Sequence, residues 1–200
     1  MLKMFDKWAC NEVKVIDPGL AKYLGLEDML IPHTFGAESG KKYTKKSINI
    51  VERLVNKLMR TGQGKKKLGG KFIRGRGNPG NKLKVMKIVE NAFDTVEERT
   101  KTNPIQQLVM AIQNSSPRED VTRLKKGGVA YSESVDISPI RRLDEAIKNI
   151  ALAAFATSFD NSKKASDALA EEILLAAKND NKSYAVRRKD EMERIAKSSR

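Results

Sequence analysis

The chain contains very little of the chemistry on which metal proteins and most hydrolytic enzymes depend. Its 200 residues include one cysteine, Cys10, and one histidine, His33. A single cysteine excludes an internal disulfide framework and fits a reducing cytoplasm. A lone histidine, far from any carboxylate cluster with ligand spacing, argues against a zinc site and removes the Ser–His and Cys–His arrangements that activate nucleophiles. We therefore expect no metal, no cofactor and no enzymatic activity.

Long apolar segments are also missing. The longest apolar run, Ile150 to Ala156, is far shorter than the roughly 20 residues that a membrane-spanning helix requires. The first residues, M-L-K-M-F-D-K-W, carry charges inside the only candidate apolar patch, so we expect no signal peptide. Both absences favour a cytoplasmic protein without a membrane partner.

Positive charge, by contrast, is abundant. The chain has 39 basic and 25 acidic side chains, a formal charge of +14, and a hydrophobic content of 40%, which is enough for a core. Such a charge excess indicates a polyanionic partner, either nucleic acid or an anionic membrane surface. The basic residues concentrate in loops and at helix starts, around 41–46, 65–87, 123–126, 141–142, 163–164 and 187–189. This distribution predicts one binding face.

Apolar residues recur with helical spacing in six segments, which predicts a mainly α-helical fold. Asn103–Pro104 and Ser138–Pro139 each place a capping residue before a proline, which is typical of a helix start. The six predicted helices are 45–60, 83–100, one after Asn103, one after Ser138, 164–178 and 190–197. We therefore predict a six-helix bundle with one protruding β-hairpin and basic extensions. Alanines in 164–178 predict close helix packing, and its acids Asp167, Glu171 and Glu172 are expected to face solvent or a protein.

Residues 1–42 are predicted to form an extension that packs on a helical domain at 43–200. The extension is too small for its own core, so Trp8, Tyr23 and Phe35 are expected to anchor it. Stacking of Trp8 on a base is the less favoured alternative. Alternation at 12–16 is compatible with a short strand, and Asp17–Pro18 predicts a short helix.

A basic, glycine-rich loop is predicted at 61–82. No acidic residue occurs between Glu52 and Glu90, and glycine-rich chain of this kind cannot fold alone because it loses much entropy and offers little apolar area. Phosphates lying between its side chains would relieve the repulsion. The expected nucleic-acid contacts are Lys65, Lys66, Lys67, Lys71, Arg74 and Arg76. The alternative is a solvated linker, but a linker has no need of uniform charge.

Two glycine patterns in this loop do not predict nucleotide binding. Gly75 to Gly80 fits G-x-G-x-x-G, but only Phe72–Ile73 precedes it, where a dinucleotide fold needs a buried strand. Gly64 to Gly69 begins like a phosphate-binding loop, but Gly70 occupies the position of the required lysine.

The segment 118–137 predicts a β-hairpin. Along its outgoing half, successive side chains alternate in character, as they do in a β-strand. Gly127–Gly128 offers a turn with positive φ at both central residues, and the return half begins near Tyr131. A cationic ribbon between two amphipathic helices suits a nucleic-acid groove. The alternative is a solvated turn that joins two helices.

The chain resembles the small-subunit ribosomal protein seven family in its archaeal and eukaryotic form. The motifs that carry the resemblance are N-P-I-Q-Q-L-V-M-A-I-Q-N-S-S-P-R-E-D at 103–120, R-L-K-K-G-G-V-A-Y at 123–131 and V-D-I-S-P-I-R-R at 135–142. L-V-N-K-L-M-R-T-G at 54–62 and the C-terminal residues 182–200 add to it, so that the resemblance covers about 42–200.

The resemblance implies a structural protein of the cytoplasmic ribosome, a primary rRNA binder that organises the 3′ major domain, or head, of the small subunit. It places the hairpin near messenger RNA and the exit-site tRNA, with other head proteins and small-subunit protein eleven as neighbours. The hairpin contacts that it implies are Arg123, Lys125, Lys126, Gly127, Gly128 and Tyr131. The rRNA face that it implies includes Lys45, Lys46, Pro117, Arg118, Arg141 and Arg142, and the basic cluster at Arg187 and Arg188 is expected to join it.

The sequence departs from the family pattern in two places. The return half of the hairpin carries the acids Glu133 and Asp136 where relatives are often basic or apolar, so we expect this strand to face away from RNA. The loop at 62–81 is longer than is usual, and its target does not follow from the resemblance. A free-standing helical regulator that inserts one helix into DNA is the alternative function, although the basic residues favour loops over any one helix. An enzyme is a remote third possibility.

Overall fold

The structure is a computed structural model that describes residues 2–36, 44–62, 67–68, 71–72 and 80–200. The elements along the described chain are α1 (Pro18–Ala21), a 3₁₀ turn (Thr44–Lys46), α2 (Ile50–Met59), β1 (Lys67–Leu68), β2 (Lys71–Phe72), α3 (Lys82–Thr100), α4 (Pro104–Ser115), β3 (Glu119–Lys126), β4 (Val129–Asp136), α5 (Pro139–Ser158), α6 (Ala165–Ala177) and α7 (Tyr184–Ser198). Helices α2 to α7 form a bundle, and the antiparallel pair β3–β4 forms the hairpin. The predicted fold class, mainly α with a β-hairpin, is confirmed.

Helices α1, α4 and α5 begin where the sequence places a candidate capping residue directly before a proline. The Asn103 side chain accepts a hydrogen bond from the backbone nitrogen of Ile105 at 3.0 Å, and Pro104 is the first residue of α4. Asp17 caps α1 in the same way, through Gly19 at 2.9 Å. These side chains satisfy amide groups that have no partner inside a helix, and proline has no such amide to satisfy.

Helix α6 lies at the centre of the bundle and packs against α3, α4 and α5. Its buried face combines Leu169 and Ile173 with the small residues Ala168, Ala170 and Ala176. Alanine allows helix axes to approach closely, so the predicted role of these alanines is confirmed. No helix in the described ranges is both long and apolar enough to cross a bilayer.

The N-terminal residues share the core of the bundle. The Trp8 ring is 3% exposed, lies edge-on to Phe93 with ring centroids 5.6 Å apart, and donates its Nε1–H to Glu97 at 2.9 Å. Met4, Leu20 and Leu24 are fully buried beside it. Trp8 is therefore a packing residue and its ring is not available to a base. The anchoring role expected for Phe35 is wrong, because that side chain is 81% exposed.

Some local predictions are wrong because a distant partner decides the structure. Residues 12–16 form no strand, since the backbone of Lys14 instead pairs with the side-chain amide of Gln106. Helix α2 begins at Ile50 rather than at Lys45, because Asn49 caps Val51 at 2.9 Å. Leu83, the apolar residue with which the predicted helix 83–100 begins, is 70% exposed on the first turn of α3.

The C-terminal helix is longer than predicted. It begins at Tyr184 rather than at Asp190, because Ser183 caps it through the backbone nitrogen of Val186 at 3.3 Å. Ser183 in turn donates its hydroxyl hydrogen to Glu172 of α6 at 2.7 Å. Glu172 is only 8% exposed and is bonded within the chain itself, so the expectation that it faces solvent or a protein is wrong for this residue.

Candidate nucleic-acid interface

A cleft of about 650 Å³ lies between α2, α5, α7 and the start of the hairpin. Its charged lining has five cations and two acids: Lys57, Arg60, Arg141, Lys148, Arg188, Asp120 and Glu145. Its apolar and aromatic lining comes from Leu152 of α5 and from Tyr184, Met192 and Ile195 of α7. Cations beside exposed apolar and aromatic groups are the combination that nucleic acid requires, for phosphates and for bases respectively.

Acidic neighbours hold several of the cleft cations. Arg141, whose side chain is 63% exposed, donates to Asp120 at 3.0 Å. Lys148 pairs with Glu145, three residues earlier on α5, and Arg188 pairs with Glu191 on α7. The hydrogen bond to Glu191 raises the pKa of Arg188 above its usual value, so this cation stays charged. These pairs orient the side chains, and the remaining N–H donors of the same ammonium and guanidinium groups can bind phosphate oxygens.

Asp144 fixes α2 against α5 behind the cleft. Its carboxylate lies 2.8 Å from Lys45, 3.3 Å from Arg53 and 3.5 Å from Lys57. Burial raises the pKa of Asp144, but the hydrogen bond from Lys45 and the charges of Lys57 and Arg53 outweigh that effect and hold the pKa below its usual value. The carboxylate therefore remains ionised and sets the position of Lys57 at the cleft wall.

Asn149 is the buried polar residue of the cleft. It is 3% exposed, and its Nδ2 group has no hydrogen-bond partner within the described part of the chain. It interrupts the apolar face of α5 between Ile147 and Ile150, which are both fully buried. A buried amide group without a partner costs roughly 1–3 kcal/mol, so this residue lowers the stability of the packing behind the cleft.

The charged residues of the hairpin lie on both faces of the two-stranded ribbon. Residues directly opposite each other on paired strands share a face, and Arg123 pairs with Ser132 while Lys125 pairs with Ala130. Near the tip these four residues form the basic face, while nearer the root the same side of the ribbon carries the acids Glu119 and Asp136, which lie opposite each other. The other face carries Leu124 opposite Tyr131, which are 38% and 43% exposed. Both strands therefore contribute residues to each face of the ribbon, and both cations of the basic face, Arg123 and Lys125, come from the outgoing strand.

The tip of the hairpin has the predicted turn. Gly127 and Gly128 have φ of 60° and 82°, and a Cβ atom at either position would meet nothing within 4 Å. The base of the hairpin is anchored, because the backbone nitrogen of Arg118 donates to Glu193 of α7 at 3.0 Å. The arm therefore projects from a fixed root.

The cleft brings together only two of the residues singled out from the sequence, Arg141 and Arg188. Arg142 is turned inward, where it donates to Asp17 at 2.9 Å and to Ser116 at 3.3 Å, and Pro117 is buried. The remaining described candidates, which lie on exposed surface away from the cleft lining, are Lys45, Lys46, Arg118, Arg123, Lys125, Tyr131 and Arg187. The structure describes only the backbone of Lys67, Lys71 and Lys126, and Lys65, Lys66, Arg74 and Arg76 lie outside the described residues.

Sequence reasoning missed Lys57, Arg60, Lys148, Asn149 and Tyr184. A signal existed on α5, where Arg141, Glu145, Lys148 and Leu152 recur every three or four residues and so share one face. No local pattern indicates that this face meets α2 and α7, because the three helices are far apart in the sequence.

The fold and this surface define a class, that of basic α-helical proteins that present cations and an exposed aromatic ring to a polyanion on a concave face. Within this class, residues 26–200 match the family model described as ribosomal protein S7p/S5e. The chain belongs to this family, and it is thus a ribosomal protein of a structural rather than an enzymatic kind.

Relatives extend the similarity over the whole chain. A protein of Methanothermobacter thermautotrophicus called small ribosomal subunit protein uS7 is 46% identical over 199 residues, which is 100% of both chains. Proteins with the same name from Methanococcus aeolicus and Thermoplasma volcanium are 45% and 47% identical, over 100% and 98% of this chain and 99% and 100% of their own lengths. The similarity therefore includes the N-terminal residues that precede the family model.

Proposed function

We propose that the protein is a primary rRNA-binding component of the small subunit of the cytoplasmic ribosome, where it organises the 3′ major (head) domain during translation. The observation that carries the proposal is the cleft between α2, α5 and α7, in which cations from three helices that are distant in the sequence converge beside apolar side chains and the ring of Tyr184. A helix inserted into a DNA groove would instead need base-reading side chains along one helix, and the cleft distributes its cations over three.

The cleft is suited to folded RNA rather than to a regular duplex. Its cations lie on the walls of a cavity, and its apolar floor includes Tyr184 and Met192, so it offers room for a backbone together with an unpaired base. The loop at 61–82, with no acid between Glu52 and Glu90, adds further phosphate contacts.

The hairpin has a separate role in this proposal. Its anchored root and exposed glycine tip suit an arm that reaches from the head towards the exit site, where messenger RNA and the exit-site tRNA are its neighbours. Arg123 and Lys125 on the basic face would contact RNA. Leu124 and Tyr131 on the opposite face would contact a protein, for which small-subunit protein eleven is the candidate.

The test is the salt dependence of binding to a transcript of the 3′ major domain of small-subunit rRNA. The triple variant Arg141→Gln, Lys148→Gln, Arg188→Gln should lower the slope of log affinity against log salt by up to about 0.7–0.9 for each phosphate contact that is lost. Lys178→Gln is the control, because Lys178 is exposed at the end of α6 and does not line the cleft. An unchanged slope in the triple variant, or a preference for duplex DNA at the same salt concentration, would contradict the proposal.

A further inference from the structure

The turn at residues 33–36 presents the most exposed large apolar side chain of the described chain. Phe35 is 81% exposed, and its ring lies on the ring of His33 with centroids 4.2 Å apart and planes 13° apart. The backbone nitrogen of Phe35 also donates to Nδ1 of His33 at 2.7 Å. The imidazole therefore covers one face of the phenyl ring, and the other face is open to solvent.

Folding alone does not account for this arrangement. Phe35 has a φ of 51°, in the left-handed region that bulky residues rarely adopt, and Gly36 follows with a φ of 78°. An exposed ring gains almost nothing from the hydrophobic effect, while the backbone conformation costs about 1–3 kcal/mol. Strain and exposure at the same aromatic residue indicate a binding element.

Hydrogen bonds to one buried carboxylate hold the turn against α2 and the start of α3. Thr34 donates its backbone N–H and its hydroxyl to Oε1 of Glu52, at 3.1 and 3.2 Å, and Glu52 is 2% exposed. Lys82, the first residue of α3, donates to the same oxygen at 2.6 Å. One buried carboxylate thus joins the aromatic turn to the end of the basic loop predicted at 61–82.

We propose that Phe35 is a stacking platform for an unpaired base of the bound RNA. This inference rests on the proposed function, because the base would belong to the same rRNA that the cleft binds. Unpaired bases stack on aromatic rings where cations hold the adjacent backbone, and the His33–Phe35 pair is a stack with one open end. A flat, exposed ring on a chain with a formal charge of +14 favours a base over an apolar protein side chain, which would need a pocket.

The experiment compares three variants in binding to the 3′ major domain transcript at fixed salt. Phe35→Ala removes the ring and should weaken binding by about 5- to 100-fold, the usual effect of losing one stacked base. Phe35→Leu keeps an apolar side chain without a ring and should weaken binding similarly. Phe159→Ala is the matched control, because Phe159 is also an exposed phenylalanine beside another ring, 5.3 Å from Phe155, and should bind as the wild type does.

Chemical probing of the same complexes locates the base. An unpaired nucleotide protected by the wild type and by Phe159→Ala should become reactive with Phe35→Ala, while the salt slope stays unchanged because no phosphate contact is lost. Circular dichroism should show that all three variants are folded, since both substituted side chains are more than half exposed.

Several results would overturn the platform. The first is that Phe35→Ala binds and protects the transcript as the wild type does. The second is that Phe35→Leu binds with wild-type affinity. The third is a defect confined to the recruitment of other subunit proteins, which would assign Phe35 to a protein contact. These outcomes are distinct from failure of the proposed function, in which the wild type itself does not bind the transcript or the triple cleft variant keeps the wild-type slope.

Discussion

Glu172 connects the stability of the bundle to the shape of the cleft. Its Oε1 accepts hydrogen bonds from the hydroxyl of Ser183 at 2.7 Å and from the backbone nitrogen of Ala185 at 3.0 Å. Both donors lie at the start of α7, where the helix dipole favours a negative charge. Helix α7 carries Tyr184 and Arg188 into the cleft, so Glu172 determines where that wall begins.

Glu172→Ala should lower the free energy of unfolding by about 3 kcal/mol. Each hydrogen bond to a charged group contributes about 1.5–3 kcal/mol, and the substitution leaves a buried hydroxyl and a buried amide without acceptors. Ser183 is 0% exposed, so water does not readily replace the carboxylate. Glu172→Gln keeps an oxygen acceptor but loses the charge, so about 1 kcal/mol is expected for it.

Urea denaturation followed by circular dichroism measures the effect, with Glu171→Ala as the control. Glu171 precedes Glu172 on α6, but its side chain is 45% exposed and pairs only with Lys163 among the described residues. Exposed pairs of this kind contribute about 0–1 kcal/mol. If Glu172→Ala were as stable as Glu171→Ala, the buried carboxylate would not hold α7. At temperatures where both variants are folded, we also expect Glu172→Ala, but not Glu171→Ala, to bind RNA more weakly than the wild type.

Two further predictions concern the ion pairs of Asp144 behind the cleft and the tip of the hairpin. Asp144→Asn should destabilise the fold by about 1.5–3 kcal/mol at pH 7, because the buried Arg53 loses a charged partner. Since the pKa of Asp144 is held below its usual value, its ionised form contributes stability above the unfolded pKa and loses it as the pH falls through the folded pKa. The difference in urea midpoint between the variant and the wild type should therefore shrink in acid; a constant difference from pH 7 to pH 3 would refute this. Deleting Lys125 to Val129 should leave the thermal transition intact, because a side chain at the glycine tip would meet nothing within 4 Å, while it alters exit-site tRNA retention. An unfolded deletion variant would make the hairpin part of the core.

Sequence reasoning located the helices well where the signal is local. Asn103–Pro104 holds the cap and the first helical residue in adjacent positions, and α4 begins there. It failed where the cap depends on a distant residue. Ser183 caps α7 with support from Glu172 of α6, and Asn49 caps α2 while its own amide donates to the backbone oxygen of Glu27 at 3.0 Å. Such partners become visible only once the helices are packed.

The cleft shows the same limit at the level of the site. Arg141 was visible from the sequence because it follows a helix start, and Arg188 because it lies in a run of basic residues. That the two line one cavity depends on the contacts of α7 with α5 and β3. Arg142, equally basic and adjacent to Arg141, points the other way, because consecutive helical residues are about 100° apart. Composition therefore predicts the partner, but packing decides which cations meet it.

The cleft and the loop at 61–82 differ in whether acidic residues accompany their cations, and this difference affects how each would bind RNA. Arg141, Lys148 and Arg188 each contact an acid within the described chain, so their side chains lose part of their rotamer freedom before RNA arrives. Restricting a long basic side chain costs up to about 2 kcal/mol, and a pre-oriented cation loses less of it on binding. The loop has no acid of its own, so no carboxylate within it pairs with its cations, and Lys82 at its end pairs instead with Glu52 of α2. The cleft is thus suited to fix the orientation of the RNA, and the loop to supply salt-dependent affinity.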